Sequence, residues 1–214
     1  MRRIAFVTQK GGAGKSTLAA CLAVAATAAG ERVFLIDLDP LRSLSGWGRT
    51  RERDDIPVVA APPSKLEKIL EALAARGITL AIIDSPGGDG AAVDAAIRAA
   101  QLCLVPARPN AFDLVAGEKT LKKIKERGRD YAFVLNQCPT SRQNARIEEG
   151  MATLQALGVL MRPLVSARVD YQEAARRGLG VGEVNAGGAA AEEMRALWAS
   201  VRKRLGKKPK KMAA

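Results

Sequence analysis

Eight residues near the amino end, Lys10-Gly11-Gly12-Ala13-Gly14-Lys15-Ser16-Thr17, stand directly behind the apolar run Ile4 to Val7 and directly ahead of the run Leu18 to Ala29. A strand, a glycine turn and a helix start in that order make a phosphate cradle. Successive glycines let backbone N–H groups point inward at a β-phosphate. Lys15 brings positive charge to the β- and γ-phosphates, and the Ser16 hydroxyl can ligate Mg²⁺. The first expectation is a nucleoside triphosphate held by Gly11, Gly12, Ala13, Gly14, Lys15, Ser16 and Thr17.

The rest of the chain repeats the same unit. Short β-branched runs at Arg3–Val7, Val33–Ile36, Pro57–Ala60, Leu80–Ile83, Leu102–Val105, Ala132–Leu135 and Val159–Pro163 read as strands. Between and after them, Lys15–Ala29, Lys65–Arg76, Ala91–Ala100, Leu114–Arg127, Arg142–Leu157, Tyr171–Arg177 and Ala189–Leu205 read as helices. Gly30, Gly77, Gly128 and Gly158 each fall just past a helix, where a left-handed cap is wanted. The expected fold is α/β: a three-layer αβα arrangement around a twisted, mostly parallel sheet of about seven strands. At 214 residues the chain fits one domain over residues 1–205, with residues 206–214 as a basic tail.

A parallel sheet collects ligands at the carboxyl ends of its strands. The residues there are Asp37, Asp39 and Pro40 after the second strand, Asp84, Ser85 and Pro86 after the fourth, and Asn136 after the sixth. Asp84 ends an apolar run, the context of a carboxylate that holds Mg²⁺ directly or through its water shell. Ser85 follows it, so the glutamate that many ATPases place next to this aspartate is absent. Asp37 and Asp39 can serve chemistry, or they can cap the next helix.

Net charge is +12, and eight basic residues with no acid lie between Met194 and the end, leaving +4 for everything before them. A basic end of this kind favours polyanions, nucleic acid first among them, through counterion release. No apolar run reaches the length of a membrane span and the amino end enters a strand at once, so a cytoplasmic location is expected. Cys21, Cys103 and Cys138 are widely spaced and read as buried free thiols.

With Lys10 included, the glycine turn resembles the deviant Walker A motif of the ParA/MinD family of P-loop ATPases, the SIMIBI type of P-loop fold. The resemblance extends from Arg3 to about Leu205, with its specific motifs concentrated at the start. It implies ATP and Mg²⁺ as ligands, and Lys10, Lys15 and Asp39 as catalytic residues. Lys10 would cross a dimer interface to the partner's nucleotide and Asp39 would position the attacking water. Asp37, with Ser16 and Asp84, would lie on the metal side, and the Asn136 amide would read the adenine. Leu41-Arg42-Ser43 stands where the family often has Gln-Gly after the Asp-x-Asp-Pro motif. The segment from Arg168 to Gly178 resembles the region that carries DNA-binding arginines in ParA proteins, with Asp170 where some members are basic. Arg168, Arg176, Arg177, Lys203, Lys207 and Lys208 are the expected DNA contacts.

The function implied is a ParA-like ATPase that forms a homodimer on ATP, binds DNA nonspecifically and hydrolyses ATP slowly unless a cargo-bound adaptor stimulates it. Such a protein would be nucleoid-associated and would segregate or position a plasmid, a chromosome region or a protein cluster. A MinD-like membrane-associated positioning ATPase is the alternative. The end Arg202 to Lys211 disfavours it, having charge but almost no apolar face, with Pro209 interrupting any helix. An iron–sulfur reductase built on the same loop lacks cysteines after Asp84, and a small-molecule kinase is the remaining enzyme reading.

Overall fold

The protein is described by a computed structural model over residues 1–141 and 144–206. In chain order the elements are β1 (Arg2–Thr8), α1 (Lys15–Ala28), β2 (Val33–Asp37), α2 (Ser43–Thr50), β3 (Val58–Ala60), α3 (Leu66–Ala75), β4 (Leu80–Gly87) and α4 (Ala91–Ala99). They continue with β5 (Leu102–Ala107), α5 (Ala111–Glu126), β6 (Asp130–Leu135), α6 (Ala145–Leu157), α7 (Val169–Arg176), α8 (Val181–Val184) and α9 (Ala189–Leu205). The strands form one sheet in the order β3-β2-β4-β1-β5-β6, and every pairing is parallel.

Alternation along β1 assigns its side chains to two cores. Ile4 and Phe6 join Leu35, Ile82, Leu104 and Val134 beneath α1 and α9, with Leu22, Leu197 and Trp198 filling the layer. Ala5 and Val7 join Ile36, Ile83, Val105 and Phe133 on the other face, under Leu70 of α3, Ile97 of α4 and Ile124 of α5. Strands covered on both faces are apolar at nearly every position, which is why they read as continuous runs and not as alternating ones. Cys21, Cys103 and Cys138 are buried free thiols, and burial pushes Cys21 and Cys103 up to about 12.

Six strands form the sheet where the sequence suggests seven. The segment Val159–Pro163 does run beside β6: the Phe133 N–H donates to the Val159 carbonyl at 2.8 Å and the Met161 N–H to the Phe133 carbonyl at 2.8 Å. Pro163 has no N–H to continue that ladder, and the pairing breaks into isolated bridges at Leu160 and Ser166. Gly30, Gly77 and Gly128 take the expected left-handed caps, but Gly158 is extended at φ 162°. A Cβ there would lie 2.5 Å from the Tyr131 hydroxyl, so close approach is what Gly158 permits.

Helices α2 and α8 have no counterpart among the elements expected from sequence. The α2 stretch Ser43-Leu44-Ser45-Gly46-Trp47-Gly48 has weak intrinsic helicity. Burial of Leu44 and Trp47 holds it, and a Cβ on Gly48 would collide with Val58 at 2.6 Å. Helix α5 begins three residues earlier than expected because Asn110 caps it, its side chain accepting from the Asp113 N–H at 3.0 Å.

Candidate nucleotide-binding site

The phosphate loop leaves the carboxyl end of β1, at the point where the chain turns from building β2, β3 and β4 on one side to β5 and β6 on the other. Gly12 and Gly14 have positive φ, 76° and 89°. Gly14 ends the loop as the residue before α1, and the α1 N–H groups behind it have no side-chain cap, leaving donors for an anion. Gly87, at the end of β4, lets that strand pass close: a Cβ on it would sit 3.1 Å from the Gly11 nitrogen. Gln9 is fixed from behind, its N–H donating to the Thr120 hydroxyl at 3.1 Å.

Lys15 is buried, and that burial lowers its affinity for its proton while Asp84 and Asp39 act against the loss. Lys10, five residues earlier, is exposed, with its ammonium 5.8 Å from the centre of the Phe112 ring. The two lysines of the loop therefore point to different places.

The three acids behave differently from one another. Asp84, level with Asp37 in the β2–β4 register, is fully buried, and neither carboxylate oxygen has a hydrogen-bond partner among the described residues. Burial pushes it up to about 7, against the pull of the Ser16 hydroxyl and Lys15, with Asp37 and Asp39 adding repulsion. An orphaned buried carboxylate facing a serine hydroxyl and a lysine is a site short of a cation, so Ser16 and Asp84 fit Mg²⁺.

Both oxygens of Asp37 are engaged instead. One oxygen accepts from the Asp39 N–H at 3.0 Å, and the other from the Ser45 N–H and the Ser45 hydroxyl, both at 2.8 Å. From the end of β2 it caps α2, as an N-cap side chain would. Asp39 spends one oxygen on the Leu41 N–H at 2.9 Å, is only partly buried, and keeps its second oxygen for a ligand or water.

Stability should depend on pH through Asp84. Its pKa rises from about 4 in the unfolded chain to about 7 in the fold, so its neutral form is the one that folding favours. Its contribution is fully present below pH 4 and is lost as pH rises through 7. Asp84→Asn, which mimics the neutral form, is expected to raise the melting temperature of the nucleotide-free, metal-free protein at pH 8. The gain should shrink to nothing near pH 4 in a pH series of thermal melts; a gain independent of pH would refute the assignment.

Asn136 braces the phosphate loop, its amide donating to the Ala13 carbonyl at 2.8 Å, and a Cβ on Gly14 would meet that amide at 2.4 Å. Gln137, which no sequence signal singles out, does the same at the Gly12 carbonyl, 3.0 Å away. Beside them opens a cavity of about 370 Å³, lined among others by Thr17, Asn136, Gln137, Arg168, Tyr171 and Gln172. A second, smaller cavity of about 130 Å³ lies between α1, α2 and α7, with Ser16, Trp47 and Leu179 on its walls.

Of the expected DNA contacts, Arg176 and Arg177 share the exposed end of α7, where both face Glu173, Arg176 at 2.7 Å and Arg177 at 3.9 Å. Arg168 precedes the other end of that helix, about 12 Å away by helical rise. It pairs with Glu193 of α9 at 3.2 Å and lines the larger cavity. Lys203 is exposed on the last turn of α9, and Lys207 and Lys208 lie outside the described residues.

Residues 4–181 match the model of the CobQ/CobB/MinD/ParA nucleotide binding domain. The chain belongs to that family. Within it, the chain is a ParA/MinD-type P-loop protein, 31% identical over 186 residues to the maintenance of carboxysome distribution protein A of Gloeobacter kilaueensis, covering 84% of this chain and 83% of the relative. It is 33% identical over 147 residues to the chromosome partitioning protein ParA of Caulobacter vibrioides, a match spanning 66% of this chain and 49% of that protein. Among solved structures, MinD of Pyrococcus horikoshii, complexed with Mg-ADP, superposes with a TM-score of 0.78 at 21% identity, covering 96% of this chain and 97% of that one. A variant of Cyanothece McdA in complex with ATP superposes at 0.75 with 16% identity, covering 97% of each chain. These structures establish the ParA/MinD fold for the chain.

Proposed function

We propose that the chain is an ATP-dependent positioning switch of the ParA kind. ATP and Mg²⁺ bind in the phosphate loop. The base occupies the cavity beside Asn136 and Gln137, and the phosphates lie along Gly11 to Thr17 against Lys15. Ser16 and Asp84 hold the metal, and Asp37 supports it indirectly by fixing the turn that carries Asp39. The free oxygen of Asp39 orients the attacking water, a task left to it because Ser85 follows Asp84.

One observation carries the two-subunit part of this reading. Lys10 faces outward on an edge of the sheet that also exposes Leu41, 83% accessible, and Phe112, 78% accessible, with Val115 one turn further along α5. Large apolar side chains left bare around a phosphate site mark a surface that becomes covered. A second copy with ATP in its own loop fits: the apolar residues bury one another, and each Lys10 compensates phosphate charge across the contact. Two copies double the basic surface presented by Arg176, Arg177 and Lys203, and affinity for DNA climbs steeply with the number of phosphates neutralised. Hydrolysis, stimulated by a cargo-bound adaptor, then separates the subunits and releases the DNA.

Sedimentation velocity tests the cycle. The chain should run as a monomer without nucleotide and as a dimer with a nonhydrolysable ATP analogue and Mg²⁺, while Lys10→Ala should stay monomeric and still bind nucleotide. A Lys10→Ala variant that dimerises as well as the native chain removes the cross-subunit role. A MinD-like membrane role gains no support from α9, whose large apolar residues Leu197, Trp198 and Val201 are buried against the sheet. No described helix is long and apolar enough to cross a membrane.

A further inference from the structure

The turn between β5 and α5 leans on the phosphate loop, and it carries a cation that the proposed cycle leaves without a task. Arg108 follows the end of β5, the neighbour of β1, so it emerges at the same edge as the loop. Its Nε donates to Asp113 Oδ2 at 2.9 Å and its Nη2 to Asp113 Oδ1 at 3.0 Å, and its backbone N–H adds a third bond to Oδ2 at 3.1 Å. Asp113 is only 1% accessible and is itself fixed by the Asn110 cap. A bidentate fork on a buried carboxylate fixes the plane of the guanidinium.

That fork leaves Nη1 over. It makes no hydrogen bond among the described residues, and it faces Gly12: a Cβ built on that glycine would lie 3.8 Å from it. The side chain remains 32% accessible on this edge, so a ligand can reach it. The base cavity is lined by Thr17, Asn136 and Gln137, and in the proposed binding mode the terminal phosphate lies against the Lys10–Gly12 end of the loop.

We propose that Arg108 is a catalytic residue in this sense: its free Nη1 donates to the terminal phosphate of ATP bound in the same subunit, while Asp113 holds it in place. The proposal rests on the nucleotide site described above. A cation already fixed in position stabilises charge developing on the transferred phosphoryl group without having to reorganise. Charge stabilisation of this kind would act beside the water-orienting role proposed for Asp39. Arginine suits this geometry because Nε and Nη2 grip Asp113 as a planar fork while Nη1, a separate nitrogen, projects elsewhere; the three donors of a lysine diverge from a single atom.

Two variants separate this role from simple pairing with Asp113. Arg108→Ala deletes the cation but strands a buried carboxylate. The double variant Arg108→Ala with Asp113→Asn deletes both charges and keeps the interior neutral. Both are compared with the native chain for ATP and ADP affinity by fluorescent-analogue displacement, and for phosphate release with Mg²⁺. In both, ATP affinity should fall roughly ten- to hundredfold, as for loss of one charge-assisted hydrogen bond, with ADP affinity changed less than about threefold. Phosphate release should fall by at least the same factor, and added guanidinium ion should restore part of it in Arg108→Ala. Native ATP affinity in the double variant overturns the assignment, as does equal loss for ATP and ADP, while both leave the nucleotide site standing. A native chain that binds no ATP overturns both.

Discussion

Lys15→Ala should weaken ATP binding by about a hundredfold or more, measured by titration calorimetry in the presence of Mg²⁺. Lys15 is the buried cation of the loop, with Asp84 and Asp39 as its nearby charges, and in the proposed binding mode it meets the phosphates. Removing it deletes charge-assisted hydrogen bonds to two phosphates, each about 1.5–3 kcal/mol. It also leaves three carboxylates at the strand ends with no compensating ammonium, so the anionic ligand meets a more repulsive site. Lys15→Arg is not expected to restore affinity, since a larger planar guanidinium would replace a compact ammonium at a buried position. A Lys15→Ala protein with native affinity and turnover would remove the nucleotide site altogether.

The second large effect lies well away from the phosphates. Arg51, at the end of α2, has a side chain only 1% accessible, and its guanidinium is fully used. It holds Asp55 at 2.8 Å through both Nε and Nη2, Glu183 at 2.7 and 2.8 Å, and the Gly178 carbonyl at 3.0 Å. It also lies 5.2 Å from the Trp47 ring centre, and the Trp47 indole N–H donates to the Leu179 carbonyl at 3.0 Å. Arg51→Ala removes one partner from this network and leaves Glu183, 14% accessible, without its main counter-charge. The expected cost is about 3–5 kcal/mol, which for a chain of this size lowers the melting temperature on the order of 10 °C. Arg53→Ala supplies the control: Arg53 also reaches Glu183, at 2.9 Å, but is 57% accessible, and its loss should cost less than about 1 kcal/mol. Equal effects of the two substitutions in calorimetry would show that burial is not what gives Arg51 its weight.

The parallel sheet and the phosphate loop are legible in the sequence because their signals are local. Apolar runs buried on both faces, a glycine turn of fixed spacing, and acids placed at or just past a strand end all lie within short windows. What the sequence hides is decided by contacts between distant residues. Helix α2 is built around Trp47, Arg51 and a carboxylate on β2, and nothing within Ser43–Thr50 announces it. Leu160 has the composition of a strand residue, yet Pro163 three positions later interrupts its ladder. In the site, the buried place of Asp84 on β4 is legible from the apolar run before it. The places of Gln137 and Arg108 are not, since only the fold brings the ends of β6 and β5 against Gly12. The sequence could have offered Arg108 as a candidate through the rule used for the acids, that residues just past parallel strands collect at the ligand edge.

The three hydrogen bonds accepted by the Asp37 carboxylate have a consequence for anyone scanning this protein by mutagenesis. Because it grips the beginning of a neighbouring helix and the turn before it, swapping it for a neutral residue should slacken the segment that carries Asp39. The variant would lose turnover without having lost a participant in the reaction. Inactive mutants at adjacent acids would then look alike in an assay while reporting a hinge in one case and a reagent in the other.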